Sequence, residues 1–161
     1  MFLYEAFPPE LINVESAAEN KAEVFEELVD HFCQAEESDA REEILEVLWE
    51  RESKMSTGIK KGVAVPHGRT NAVRDIHGIL GISKRGIDYD ALDGQPVYLI
   101  FMFLSPKTVT EEQLRLLKRL AELLNNPQFH TDLIAQNDSR SANRIIKKYE
   151  DNLFASVIDK T

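Results

Sequence analysis

The chain has a single cysteine, Cys33, so no internal disulfide can form, and a reducing, cytoplasmic setting is expected. Basic residues are few: 19 Lys and Arg stand against 28 Asp and Glu, a formal net charge of −9. A phosphate backbone demands a basic face, so nucleic acid is not an expected partner. No apolar run reaches membrane-spanning length; the longest, Val97 to Leu104, is strand-sized, so no membrane insertion is expected. The opening Met-Phe-Leu-Tyr-Glu-Ala-Phe-Pro-Pro lacks the basic start and apolar core of a signal peptide. There is no internal repeat, no low-complexity tract and no Gly-x-x-x-x-Gly-Lys phosphate loop. His31, His77 and His130 show no close spacing with one another or with Cys33, so no metal site is expected either.

What is present is an ordinary globular composition, 43% apolar and 29% charged over 161 residues, the length of one domain able to bury a substantial core. Leu11 to Val14 reads as a short edge strand, and Ser16 with Glu19 as a capping box. Phe25, Leu28, Val29 and Phe32 follow at helical spacing, with Cys33 beside them as a packing residue. Asp39 with Glu42 opens a second helix carrying Ile44, Leu45, Leu48 and Trp49 and fading near Arg51 to Met55. Three strands are predicted next, over Gly62–Pro66, Gly78–Ser83 and Val97–Leu104; the last two are near-continuous apolar runs, as in central strands covered on both faces. Asp88 to Pro96 is a turn-rich connection with Asp93-Gly94 at its tip. Ser105-Pro106 ends the third strand, and Thr110 with Gln113 reads as a capping box before a helix carrying Leu114, Leu117, Ala121 and Leu124. Short helices over 128–136 and 139–150 close the chain. The expectation is a single α/β domain over residues 1–152, a mixed central sheet with helices on both faces, and a C-terminal tail over 153–161 that packs back or pairs with a second copy, leaving a homodimer open.

The densest local signal is Ser56 to Arg69: Ser-Thr-Gly-Ile-Lys-Lys-Gly-Val-Ala-Val-Pro-His-Gly-Arg. Gly58 and Gly62 bracket a tight turn, and Val63 to Val65 have the β-branched character of a buried strand. Pro66 cannot donate to a sheet ladder and is expected to end that strand and fix the approach to His67. Gly68 is expected to leave the far side of the imidazole open. A rigid strand end followed by an open turn would hold the ring accurately while keeping it reachable. Lys60, Lys61, Arg69 and Arg74 make a local basic cluster around His67 in a chain that is acidic overall.

Arg51-Glu52, Ser-Thr-Gly-Ile and Gly-Val-Ala-Val-Pro-His-Gly together resemble the signature of the mannitol/fructose-type IIA domains of the phosphoenolpyruvate-dependent phosphotransferase system. The Ser-Thr-Gly-Ile variant looks most like the nitrogen-regulatory branch, and the likeness spans about residues 10 to 150. The resemblance implies that His67 accepts a phosphoryl group from the phosphocarrier HPr and passes it to a IIB domain or holds it as a signal for a regulatory target. A neutral imidazole, with an unperturbed pKa of about 6.5, has the lone pair such an attack needs. By the same resemblance Arg51 steadies charge on the phosphoryl oxygens, against the alternative of an arginine capping an acidic helix. Backbone N–H groups at Gly68 and Arg69 would add phosphate donors.

One position departs from the family pattern. Where many members carry a second histidine at the start of the helix after the third strand, this chain has Gln113. Its amide can hydrogen-bond to a phosphate or an imidazole but carries no charge, and it also fits the Thr110 capping box. The resemblance thus implies a phosphotransferase component that needs no diffusible cofactor, and the missing histidine tilts it toward regulation. The alternatives are a protein-binding module that kept the fold and lost the chemistry, and a transport IIA for a mannitol- or fructose-like sugar.

Overall fold

Two long apolar strands form the centre of the molecule. The computed structural model describes the backbone of residues 1–159 and all their side chains except those of residue 60 and residues 157–159. β5 (His77–Ile87) and β6 (Val97–Ser105) pair antiparallel, with Ile79 opposite Met102 and Gly81 opposite Ile100. β1 (Ile12–Asn13) runs parallel to β5 on one side. On the other side of β6 lie two short parallel strands, β3 (Val63–Ala64) and β4 (His67–Arg69), and β2 (Gly58–Lys60) pairs antiparallel with β3. The result is the expected mixed sheet.

Alternate residues of β6 go to opposite layers. Ile100, Met102 and Leu104 pack toward α2 (Lys21–Ala35) and α3 (Arg41–Lys54) in one core, while Leu99, Phe101 and Phe103 belong to a second core. That second core is closed by α1 (Leu3–Ala6), α4 (Thr110–Leu124), α5 (Pro127–Ile134) and α6 (Ser139–Asp159). Helices on both faces explain why β5 and β6 read as continuous apolar runs and not as alternating ones.

The helix starts differ from those expected. The first long helix is capped by Asn20, whose side chain accepts from the Glu23 N–H at 2.9 Å, while Glu23 reaches back to the Glu19 N–H at 2.7 Å. This is a capping box displaced by four residues from Ser16 and Glu19, because the Ser16 hydroxyl is committed to Glu27. α3 begins after Ala40 with no side-chain cap. α4 begins after Val109, so Thr110 is its first helical residue and Gln113 completes no capping box. At the end of the chain α6 does not stop at Glu150 but runs on to Asp159. Phe154 packs edge-on to Phe2 at 5.6 Å and lies under the Arg119 guanidinium at 4.8 Å.

The strand is interrupted at Val65 and Pro66, as proline leads one to expect, but the ladder is not ended there. β3 and β4 share one register on β6: Val63 pairs with Leu99, Ala64 with Ile100, and then His67 with Phe103, an unchanged offset of 36. Proline removes a donor, but its carbonyl still accepts from the Phe103 N–H at 2.9 Å, so the ladder resumes at His67. His67 is therefore the first residue of a resumed strand and not the residue after a terminated one. The tight turn is confined to Lys61 and Gly62, both at positive φ (56° and 78°), as a two-residue hairpin between β2 and β3 requires.

Gly68 acts on the face away from the imidazole. A Cβ there would lie 2.8 Å from Cγ2 of Val47 on α3, so its absence lets α3 pack directly on β4. The expectation that Gly68 clears space beside the ring is replaced by this close helix–strand approach. Gly68→Ala should cost about 1–3 kcal/mol, the usual penalty of overpacking, and Val47→Ala in the same chain should recover most of it, as measured by urea unfolding.

Candidate functional site

α3 ends next to the His67 strand, and the segment between them is tied down by a buried carboxylate. Glu52, 6% exposed, accepts from the Thr57 N–H at 2.9 Å and the Thr57 hydroxyl at 2.7 Å. It also pairs with Lys21 from the start of α2 at 3.1 Å. The Thr57 hydroxyl shares a 2.7 Å bond with the buried Tyr89 hydroxyl, over whose ring Lys21 sits at 4.7 Å. Burial, reinforced by the Glu52 charge, pushes the Tyr89 phenol far above its ordinary range, so it stays protonated as a hydrogen-bonding post. The Thr57 carbonyl then accepts from the Val65 N–H at 3.0 Å, passing the constraint to the strand that leads to His67.

The imidazole is held in one tautomer. Nδ1 of His67 lies 2.9 Å from the Val65 carbonyl oxygen, which can only accept. Nδ1 therefore carries the proton and Nε2 the lone pair. Burial lowers the His67 pKa below the usual histidine value; the Val65 carbonyl opposes this, Arg51 and Arg69 add to it, and Glu52 again opposes it. The neutral ring is thus the form present at neutral pH.

His67 opens onto a cavity of about 340 Å³ that it shares with Arg51, Ser56 and Thr57. The remaining wall is apolar: Val65, Leu117, Leu120, Ala121 and Leu124, with Met55, Ile59 and Leu92 at the rim, each more than half exposed. Arg51 does donate to the Met55 carbonyl at 3.0 Å, the helix-capping contact weighed from sequence, yet it lines the same cavity as His67. The two readings of Arg51 are compatible.

Gln113 is placed otherwise than as a cap. It is buried at 1% exposure, and its Oε1 accepts from Nε of Arg69 at 3.0 Å. The wall of the cavity on α4 begins at Leu117, one turn beyond, and neither Gln113 nor its partner Arg69 is among the residues lining the cavity with His67. Of the basic cluster, Arg69 is engaged here, while Lys61 lines a smaller adjoining cavity with His130. His77 stacks edge-on with Phe32 at 5.1 Å and takes no part. Among the described residues no group of three His, Cys, Asp or Glu side chains is placed to hold a metal ion.

Sequence reasoning passed over three features. Glu52 appeared only as a neighbour of Arg51, although a glutamate set before Ser-Thr at a helix end is the pattern of a carboxylate that caps a returning loop. Lys21 and Tyr89 lie far off in sequence and gave no signal. The core face of α4 is Leu116, Leu120 and Leu123, beside and not on the Leu117, Ala121 and Leu124 stripe read from sequence, which instead lines the cavity; a helix with more apolar face than its core needs is itself a sign of a binding surface.

Comparison with known proteins adds the decisive finding. The sequence profile described as "Phosphoenolpyruvate-dependent sugar phosphotransferase system, EIIA 2" matches residues 5–149. The chain belongs to that family. It is 33% identical over 139 residues to the fructose-specific EIIABC component of Bacillus subtilis, covering 86% of this chain but only 22% of that protein. It is 32% identical over 139 residues to the fructose-specific EIIA component of Haloferax volcanii, covering 86% and 90%. The crystal structure of the nitrogen regulatory protein IIA-Ntr of Neisseria meningitidis superposes with a TM-score of 0.82 at 30% identity, over 89% of this chain and 98% of that one. EIIA 2 domains are phosphotransferase components, and this one has the fold of its relatives, with no described helix long and apolar enough to cross a membrane.

Two outcomes are expected. Glu52→Ala strands Lys21 and frees Thr57, and should destabilise the protein by about 3–5 kcal/mol, the range for breaking a buried pair, as measured by urea unfolding. Because the folded His67 resists protonation more than the unfolded chain does, its contribution is complete above about pH 6.5 and is lost as pH falls below that value. Melting temperature recorded from pH 7.5 to 5 should therefore fall less steeply in His67→Gln than in the wild type.

Proposed function

We propose that His67 accepts a phosphoryl group from an HPr-type phosphocarrier and holds it, in the cytoplasm, as a regulatory signal or for onward transfer. The observation that supports this most is the Nδ1–Val65 hydrogen bond, which leaves Nε2 as the nucleophile beside Arg51 in one cavity. In the step, the Nε2 lone pair forms the new N–P bond while the N–P bond to the donor imidazole breaks and returns its pair to that ring. The His67 ring then bears formal positive charge on the unit that keeps Nδ1–H, and the Val65 carbonyl stabilises that proton. Arg51 faces the charge spread over the equatorial oxygens.

The apolar rim of Met55, Ile59 and Leu92 suits a partner that seals the cavity against water during transfer. The B. subtilis relative's EIIABC designation sets an A component beside B and C components, which supports a IIB domain as one acceptor. The match to IIA-Ntr supports the regulatory reading, in which a group of about −1.5 to −2 charge on this surface changes what binds there. In either case phosphate arrives covalently on a protein, so no diffusible cofactor is called for.

The test is the intact mass of the protein after incubation with phosphoenolpyruvate, Enzyme I and HPr. A single acid-labile phosphate adduct is expected on the wild type and none on His67→Ala. An adduct that survives in His67→Ala, or a wild type that stays unlabelled beside a labelled homologue, would overturn the assignment and leave a phosphorylation-independent binding module.

A further inference from the structure

Gln113 is buried in a way that a purely structural residue has no reason to be. Its Oε1 is used by Arg69, but its Nε2 is enclosed and has no hydrogen-bond partner among the described residues. An unpartnered buried amide is a standing cost that a leucine or methionine of similar size would avoid. What the amide gains is control of one guanidinium. Arg69 is fixed at Nε by Gln113 and, at 3.4 Å, at Nη1 by the Thr110 hydroxyl, which leaves its Nη2 amino group uncommitted among the described residues.

Three further observations give that guanidinium a direction. Arg69 stands two residues after His67 on β4, so both side chains leave the same face, the one covered by α4. Arg69 forms no ion pair with a carboxylate among the described residues. The two glutamates of the nearby first turn of α4 are occupied elsewhere, Glu111 with Arg115 at 3.8 Å and Glu112 with the Met1 amino group at 3.5 Å. The positive charge of Arg69 is thus held in place and left unneutralised beside His67, whose ring senses it as a cation that disfavours protonation.

We propose that Gln113 is a positioning residue: it fixes Arg69 as a second guanidinium clamp, separate from Arg51, on the phosphoryl group carried by His67. This rests on the carrier reading above. No bond is made to Gln113 or Arg69; the clamp stabilises equatorial charge while the bonds change at Nε2. The site then holds two fixed charges, Arg51 from α3 and Arg69 from the strand, and α4 aims the second through Gln113.

The test compares the rate of phosphoryl transfer from phospho-HPr in wild type, Arg69→Gln, Gln113→Met and the double variant, with the His67 ring titrated by NMR in each. Arg69→Gln should slow labelling by about 10- to 100-fold, in the range for losing one charge-stabilising donor. Gln113→Met should slow it in the same direction while melting no lower than wild type, since it removes the unpartnered amide. The double variant should be no slower than Arg69→Gln, because Gln113 acts only through Arg69. Gln113→Glu, which still holds Arg69 but neutralises it, should be as slow as Arg69→Gln. The His67 pKa should rise in Arg69→Gln and move upward in Gln113→Met. A Gln113→Met protein labelled at the wild-type rate, or additive losses in the double variant, would overturn the positioning role and leave the carrier reading intact. A wild type that takes no label would overturn the carrier reading itself, and the clamp with it.

Discussion

The site depends on where one carboxylate is buried. Glu52 sits at the end of a helix, out of water, and would be intolerable there without compensation. Its compensation comes from Lys21 on a neighbouring helix and from both the N–H and the hydroxyl of Thr57. From Thr57 an unbroken series of hydrogen bonds continues through the Val65 backbone to Nδ1 of His67. The tautomer of the imidazole, and so which ring nitrogen carries the lone pair, is therefore tied to contacts that begin in the opposite core layer. Arg51 precedes Glu52 on the same helix, so the burial of one side chain directs its neighbour outward into the cavity.

The sheet performs the complementary task. β5 and β6, covered on both faces, form a rigid floor, and β4 lies along β6 in the same register as β3 despite the intervening proline. Gly68 then admits α3 from the opposite face. Arg51 and His67 come from different elements and share a cavity because a helix can approach a strand at the one position without a Cβ. The α4 face contributes apolar walls and, through Gln113, the orientation of Arg69.

Much of this was legible in the residues. The long apolar runs announced central strands because both faces are buried, and Pro-His-Gly with an upstream Arg-Glu pointed to the cavity that His67 and Arg51 share because its parts are local and unusual in combination. The caps were misread where two boxes compete. Ser16/Glu19 and Asn20/Glu23 have equal local merit, and only Glu27, reached through tertiary folding, removes Ser16 from the contest. Gln113 was misread for the same reason: its partner is 44 residues away, and nothing local distinguishes a capping glutamine from one that holds an arginine. The extension of the last helix through Leu153 and Phe154 depends on Phe2 and Arg119, again beyond local reach.

The strand that bears His67 is also an open margin of the sheet, since among the described residues β4 is paired with β6 alone. Exposed margins invite other chains to add a strand, the usual start of edge-to-edge aggregation. This one offers three residues, introduced by a proline and closed by an arginine, too short and too charged to template such pairing. The brevity of β4 thus limits the bare sheet that this margin offers to other chains, and the strand that holds the His67 ring is a poor template for edge pairing.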